Sequence, residues 1–242
     1  MNNGRYVAII EARMGSSRLP GKVLKTIAGK PMLQHMIERV RRCQCLDDIV
    51  VATSVNSRDD ALEVLAKNLG IHCFRGDEQD VMKRVLDAAK ANAADHIVEM
   101  WGDSPLMEPV LIDATIEYYQ KNDYDCVGVR FDQKLPRGLG LLVFPTAVLA
   151  QVESITNDPV DRENVSNYIY EHPDTYRIGQ LPCPRELDRP HLHFTVDYPE
   201  DFDVMTKIFE HFSARGNTFS IYDVVKFLES RTELAAINQR AH

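Results

Sequence analysis

Apolar residues fall into two alternating textures along this chain. Short runs dense in Val and Ile occupy residues 6–11 (YVAIIE), 48–54 (DIVVATS), 71–74 (IHCF), 96–101 (HIVEMW) and 124–131 (YDCVGVRF). Runs of this length and composition predict buried β-strands. Between them the apolar positions take helical spacing. Leu33, Met36, Ile37 and Val40 share one face of residues 31–43, which Pro31 opens. Ala61, Leu62, Leu65 and Leu69 share a face of residues 57–69, and Gly70 is placed to stop that helix. Further helices are predicted over 80–93 and 108–120. Strands alternating with helices predict an α/β fold: a mostly parallel central sheet covered by helices on both faces.

The alternation weakens over residues 132–189. This stretch holds Pro-rich turns, an apolar strand at 139–144 (LGLLVF), two short helices and the run TYRIGQLP at 175–182. It reads as a small inserted or dimer-forming subregion inside one domain spanning 1–242. An uncovered apolar strand at 139–144 would give a motive for pairing into a homodimer. Residues 192–197 (LHFTVD) resume the strand pattern, and helices are predicted over 199–213 and 221–230.

Composition narrows the function. The 242 residues carry 36 acidic against 28 basic side chains, a net charge of -8. That balance argues against a nucleic-acid coat, which needs a broad basic surface to release counterions. The five cysteines are an odd number, and Cys43 and Cys45 have neither redox nor zinc spacing, so reduced thiols are expected. No basic-then-apolar leader and no apolar run of membrane length is visible, so a cytoplasmic protein is expected.

Candidate chemistry concentrates in residues 12–22, ARMGSSRLPGK, directly after the first strand. Ligands of open α/β sheets bind at the carboxyl ends of the strands. This loop brings two glycines, two serines and the cations Arg13, Arg18 and Lys22 into an otherwise acidic chain. Exposed N–H groups flanked by guanidinium and ammonium groups suit a polyphosphate. The loop is not a Walker A motif: five residues separate Gly15 from Gly21, and Val23 follows the lysine. Asp103 in WGDSP and Asp197 in TVDYPED each follow a predicted strand. Such placement can bring both carboxylates to one sheet edge, a donor set for Mg2+, which takes one or two carboxylates plus substrate phosphates. Each alone would pass for a turn or cap residue. His191 and His193 alternate towards Asp197, a pattern open both to a transition-metal site and to a substrate-anion contact.

The segment EARMGSSRLPGKVL resembles the signature of the SpsF-type cytidylyltransferases, relatives of the CMP-Kdo and CMP-sialate synthetases. The likeness continues through DIVVATS, FRGDEQDVMKR, WGDSPL, GLGLLVF and FTVDYPEDF. It implies a nucleotide-diphospho-sugar-transferase-like fold and transfer of CMP from CTP to an acidic, ulosonic or nonulosonic sugar, with release of pyrophosphate. The implied nucleotide-binding residues are Ala12, Arg13, Met14, Gly15, Ser16, Ser17, Arg18 and Lys22, with Thr53, Ser54, Arg75 and Gly76 as base or ribose contacts. Arg13, Lys22, Asp103 and Asp197 form the implied catalytic set, and the two aspartates the Mg2+ site. Arg137, Asn164 and His193 fall on the acceptor side. Trp101, Gly140, Leu142 and Asn164 depart from the residues usual in that family. Those departures keep two further readings in play: a nucleotidyltransferase for a phosphorylated sugar or alcohol, and a nucleotide-binding homologue without turnover.

Overall fold

The computed structural model describes residues 4–129 and 134–239. In chain order the elements are β1 (Tyr6–Glu11), β2 (Thr26–Ile27), β3 (Lys30–Pro31), α1 (Met32–Val40), β4 (Asp48–Ser54), α2 (Asp60–Leu69), β5 (His72–Gly76), α3 (Val81–Ala91), β6 (His96–Trp101) and α4 (Pro109–Lys121). They are followed by β7 (Cys126–Gly128), β8 (Leu142–Pro145), α5 (Thr146–Ile155), α6 (Pro159–Glu163), α7 (Asn167–Glu171), β9 (Ile178–Gln180), α8 (Pro199–His211), α9 (Ile221–Glu229) and α10 (Thr232–Gln239). Among the described residues, seven strands form one sheet in the order β5-β4-β1-β6-β8-β7-β9, and β2 pairs with β3 apart from it.

The first half is the parallel α/β sheet that the periodicity predicts. β1 lies between β4 and β6, parallel to both, and β4 is parallel to β5. Alternate strand residues go to opposite faces. Ala8, Ile10, Val51 and Met100 pack with α1, α2, α4, α8 and α9 on one side. Val7, Ile9, Val50 and Ile97 pack with α3, α5 and α7 on the other. Local signals set the ends of the helices: Asp80 caps α3 through the Lys83 N–H, and Gly70 takes a left-handed φ of 65° after α2.

The second half corrects two expectations. Residues 139–144 are not an uncovered edge. β8 runs antiparallel between β6 and β7, and Leu139, Leu141, Leu142, Val143 and Phe144 are fully buried. The apolarity of this run is therefore used inside the subunit and supplies no motive for dimerisation. Residues 192–197 do not form a strand; they run alongside the turn at Arg137, with one bridge between Arg137 and His193. Gly138 makes that approach possible, because a Cβ there would fall 2.6 Å from the Phe194 carbonyl carbon at a φ of +94°. β9 extends the main sheet beside β7, so β8 and β9 both belong to the central sheet. The tail of the fifth predicted strand, residues 130 and 131, lies outside the described residues.

Candidate active site

The loop after β1 leaves the sheet at its carboxyl edge and folds back on itself. Ser16 and Gly21 both donate their N–H to the Met14 carbonyl, at 3.0 and 3.1 Å. Gly21 turns the chain at a φ of 68° into a short helical turn that begins with Lys22. From behind, the fully buried Asp59 accepts the Met14 N–H at 2.7 Å and the hydroxyl of Ser54. The loop is therefore held by its own backbone and by a buried carboxylate, which leaves its cationic side chains for the cleft.

The two aspartates, 94 positions apart in the chain, meet over this loop. The Lys22 ammonium donates to Asp103 Oδ2 at 3.0 Å and to Asp197 Oδ1 at 2.8 Å, and Arg18 Nη2 lies 2.9 Å from the same Asp197 oxygen. Backbone contacts fix this convergence. Gly102 N–H bonds the Glu11 carbonyl at 2.8 Å, which brings the Asp103 turn against the end of β1. A Cβ on Gly102 would sit 2.9 Å from that carbonyl, so the approach needs glycine. Val196 N–H bonds the Asp103 carbonyl at 2.8 Å and ties the second aspartate's segment to the first. Asp201 then accepts the N–H groups of Asp197 and Tyr198, both at 2.9 Å, in the capping box that starts α8. The Asp-Tyr-Pro-Glu-Asp run is thus a helix start that presents its first carboxylate to the cleft.

A cavity of about 430 Å³ opens between the loop, the end of β6 and the short helices α6 and α7. Of the residues singled out in the sequence, Ala12, Arg13, Gly15, Ser16, Ser17, Arg18, Lys22, Asp103, Asn164 and Asp197 line it. Met14 contributes its backbone to the loop and lies outside the lining. A second cavity of about 680 Å³ adjoins the first at Trp101 and Asp103, and Arg137 and Gly140 line it. His193 is buried beside it, hydrogen-bonded to Thr195 Oγ1. Leu142 belongs to the core.

Four residues expected at the base or ribose lie elsewhere. Thr53 and Ser54 are fully buried at the end of β4, paired with Arg75 and Gly76 on β5. Ser54 supports the loop through Asp59. Arg75 is turned away: it donates to the carbonyls of Ser54 and Asn56 and pairs with Asp60 and Glu63 at the start of α2. Gly76 packs against Arg84, whose Cγ would be 3.0 Å from an added Cβ. The zinc-like reading of His191 and His193 also finds no support, since the described residues contain no group of three His, Cys, Asp or Glu side chains able to hold a metal ion. The thiols of Cys43, Cys45, Cys73 and Cys126 are all raised by burial, which disfavours thiolate chemistry.

Sequence reasoning missed the far wall of the first cavity. Glu11 and Glu99 line it together with Arg84 and Val81. A carboxylate inside each of two otherwise apolar central strands is the signal that was available, because such residues are rarely buried without a purpose. Burial, and next the charge of Glu99, raise the Glu11 carboxyl well above its ordinary value of 4.5. A folded-state value above the unfolded one means that Glu11's contribution to stability is complete below the unfolded value and is lost as pH rises through the folded one. Glu11→Gln, which cannot ionise, is therefore expected to gain melting temperature over the native protein as pH rises above the ordinary value of 4.5. Parallel melting curves above that value would contradict this account.

The sequence and the fold have counterparts among known proteins. The chain matches the cytidylyltransferase family over residues 7–221. The chain belongs to the cytidylyltransferase family. It is 31% identical to the spore coat polysaccharide biosynthesis protein SpsF of Bacillus subtilis, with 94% of this chain and 95% of that one aligned. It is 38% identical over 117 residues to the 3-deoxy-manno-octulosonate cytidylyltransferase of Geobacter sulfurreducens, covering 48% of this chain and 45% of that protein. A cytidylyltransferase structure from Leptospira borgpetersenii superposes with a TM-score of 0.91 at 28% identity, covering 96% of this chain and 97% of that one. This cytidylyltransferase is accordingly a CTP-dependent nucleotidyltransferase built on the family's fold. None of its described helices is long and apolar enough to cross a membrane.

Proposed function

We propose that the protein transfers CMP from CTP to the hydroxyl of an acidic sugar, with release of pyrophosphate and with Mg2+ as cofactor. The observation that carries this reading is the convergence of Asp103 and Asp197 on the single ammonium of Lys22. Two carboxylates that already share one cation beside a cationic loop form a donor set of the kind Mg2+ takes. Asp103 and Asp197 would hold the ion, and its charge would offset the negative charge of the reacting phosphate. Arg13, Arg18 and Lys22 bind the triphosphate, and the N–H groups of the loop orient it. Lys22, released from the aspartates, turns to the phosphate oxygens. The chemistry then rests on positioning and on charge stabilisation, without a covalent enzyme intermediate.

The acceptor enters from the second cavity, which meets the first at Asp103 and Trp101. Arg137, exposed on that cavity's wall, suits a sugar carboxylate. The names of the relatives, a spore-coat polysaccharide protein and an octulosonate cytidylyltransferase, support a sugar acid. The test is pyrophosphate release with CTP, Mg2+ and a panel of ulosonic and nonulosonic acids, with the product identified by mass. A CMP-linked sugar is expected. A diphosphate-linked product from a phosphorylated sugar or alcohol would replace this reading.

A further inference from the structure

We propose that the carboxyl of Glu11, paired with Glu99 at the far wall of the first cavity, selects cytosine by accepting a hydrogen bond from its exocyclic amino group. This rests on the CTP-dependent reading of the cleft. The cavity has two kinds of lining. The loop side carries the cations Arg13, Arg18 and Lys22 with Asp103, Asp197 and Glu163 as their partners, and the other side carries Glu11 and Glu99 beside Arg84. A triphosphate is drawn to the first end and repelled from the second. The uncharged base therefore occupies the carboxyl end, where Val81 offers an apolar surface.

Three buried polar atoms at that end, Glu99 Oε2 among them, are unsatisfied among the described residues. Glu11 Oε1 has no hydrogen-bond partner, although Glu11 bonds Glu99. Arg84, 2% exposed, leaves its Nε without a partner while its Nη1 donates to the Asp77 and Glu78 carbonyls. Leaving such groups unmatched is costly, and a ligand with complementary groups removes that cost. A pyrimidine base brings both kinds: ring carbonyls that accept and, in cytosine alone, an amine that donates. Glu11 Oε1, a carboxyl oxygen without a partner, meets the ligand as an acceptor. Uracil would turn a carbonyl towards that acceptor and leave two oxygens facing each other.

The test is titration calorimetry in Mg2+ with CTP, UTP, the triphosphate of the pyrimidin-2-one riboside, which lacks the amine, and inorganic tripolyphosphate. The native protein is expected to bind CTP at least about tenfold more tightly than UTP or the amine-free analogue. Glu11→Met removes the acceptor at similar volume; it should bring the three nucleotides within about threefold and leave tripolyphosphate affinity unchanged. Should that variant fail to fold, the native protein decides: equal affinity for CTP and the amine-free analogue overturns the proposal. A Glu11→Met protein that keeps the native preference also overturns it, with the CTP reading intact. A native protein indifferent between CTP and UTP removes both.

Discussion

Replacing Asp103 or Asp197 by alanine is expected to lower kcat about a thousandfold or more, equivalent to about 4 kcal/mol of transition-state stabilisation. The fold should persist. Each carboxylate is partly exposed at the cleft, with side-chain exposures of 26% for Asp103 and 19% for Asp197. Removing one of them leaves the buried Lys22 ammonium paired with the other, so no buried charge is stranded. Melting temperature should therefore move by only a few degrees while turnover disappears. The substitutions Asp103→Asn and Asp197→Asn sharpen the comparison, because the amide keeps the shape and removes the charge. If the aspartates serve only to hold Lys22, Asp103→Asn will retain most of the rate, since Asp197 still anchors the ammonium at 2.8 Å. If they hold a divalent ion, each amide variant fails alone. Turnover measured against Mg2+ concentration, beside the melting curve, separates these cases.

The parallel half of the fold was legible because its rules are local. A strand buried on both faces reads as a nearly continuous apolar run, and β4 and β6 begin and end where the predicted runs do. The antiparallel half was less so. The run at 139–144 has the composition of a strand, but whether it sits at an edge or between β6 and β7 depends on residues far away in the chain. Residues 192–197 alternate like a strand, yet their alternation serves a close approach to Gly138 and a link to Asp103.

The site divides along the same line. Asp103 stands just after the end of β6 and Lys22 in the loop after β1, so topology brings these two to one edge, and Asp197 joins them through the bond from the Val196 N–H to the Asp103 carbonyl. Arg75 also stands at a strand end, but Asp60 and Glu63 hold it on the other side of the sheet's edge. Charge partners of that kind leave no trace in a motif. Ser54 shows a milder case: it serves the loop, but through Asp59 and from behind.

The largest effect on stability is expected away from the cleft, at the buried pair Arg39 and Glu108. Arg39 is fully buried on α1, and its guanidinium donates to Glu108 Oε2, to the Met107 carbonyl and to the Phe219 carbonyl, each at 2.9 Å. Glu108 Oε2 also accepts the Ile221 N–H at 2.7 Å, at the first residue of α9. Burial draws Arg39 down to about 10, and the Glu108 carboxylate acts against that shift. Three separate elements therefore depend on one desolvated pair. Glu108→Ala would leave a buried guanidinium without its counter-charge and free the start of α9. The expected loss is about 3–5 kcal/mol, which for a chain of this size lowers the melting temperature by about 6–20 °C. Arg39→Met should cost less than Glu108→Ala, since the carboxyl it strands can take up a proton. In the double variant Arg39→Met/Glu108→Leu no buried charge remains, and much of the loss should be recovered. Urea denaturation of the three variants checks the order. Additive losses would mean that the pair is not coupled, and that the carbonyl contacts of Arg39 alone hold α9 against the sheet.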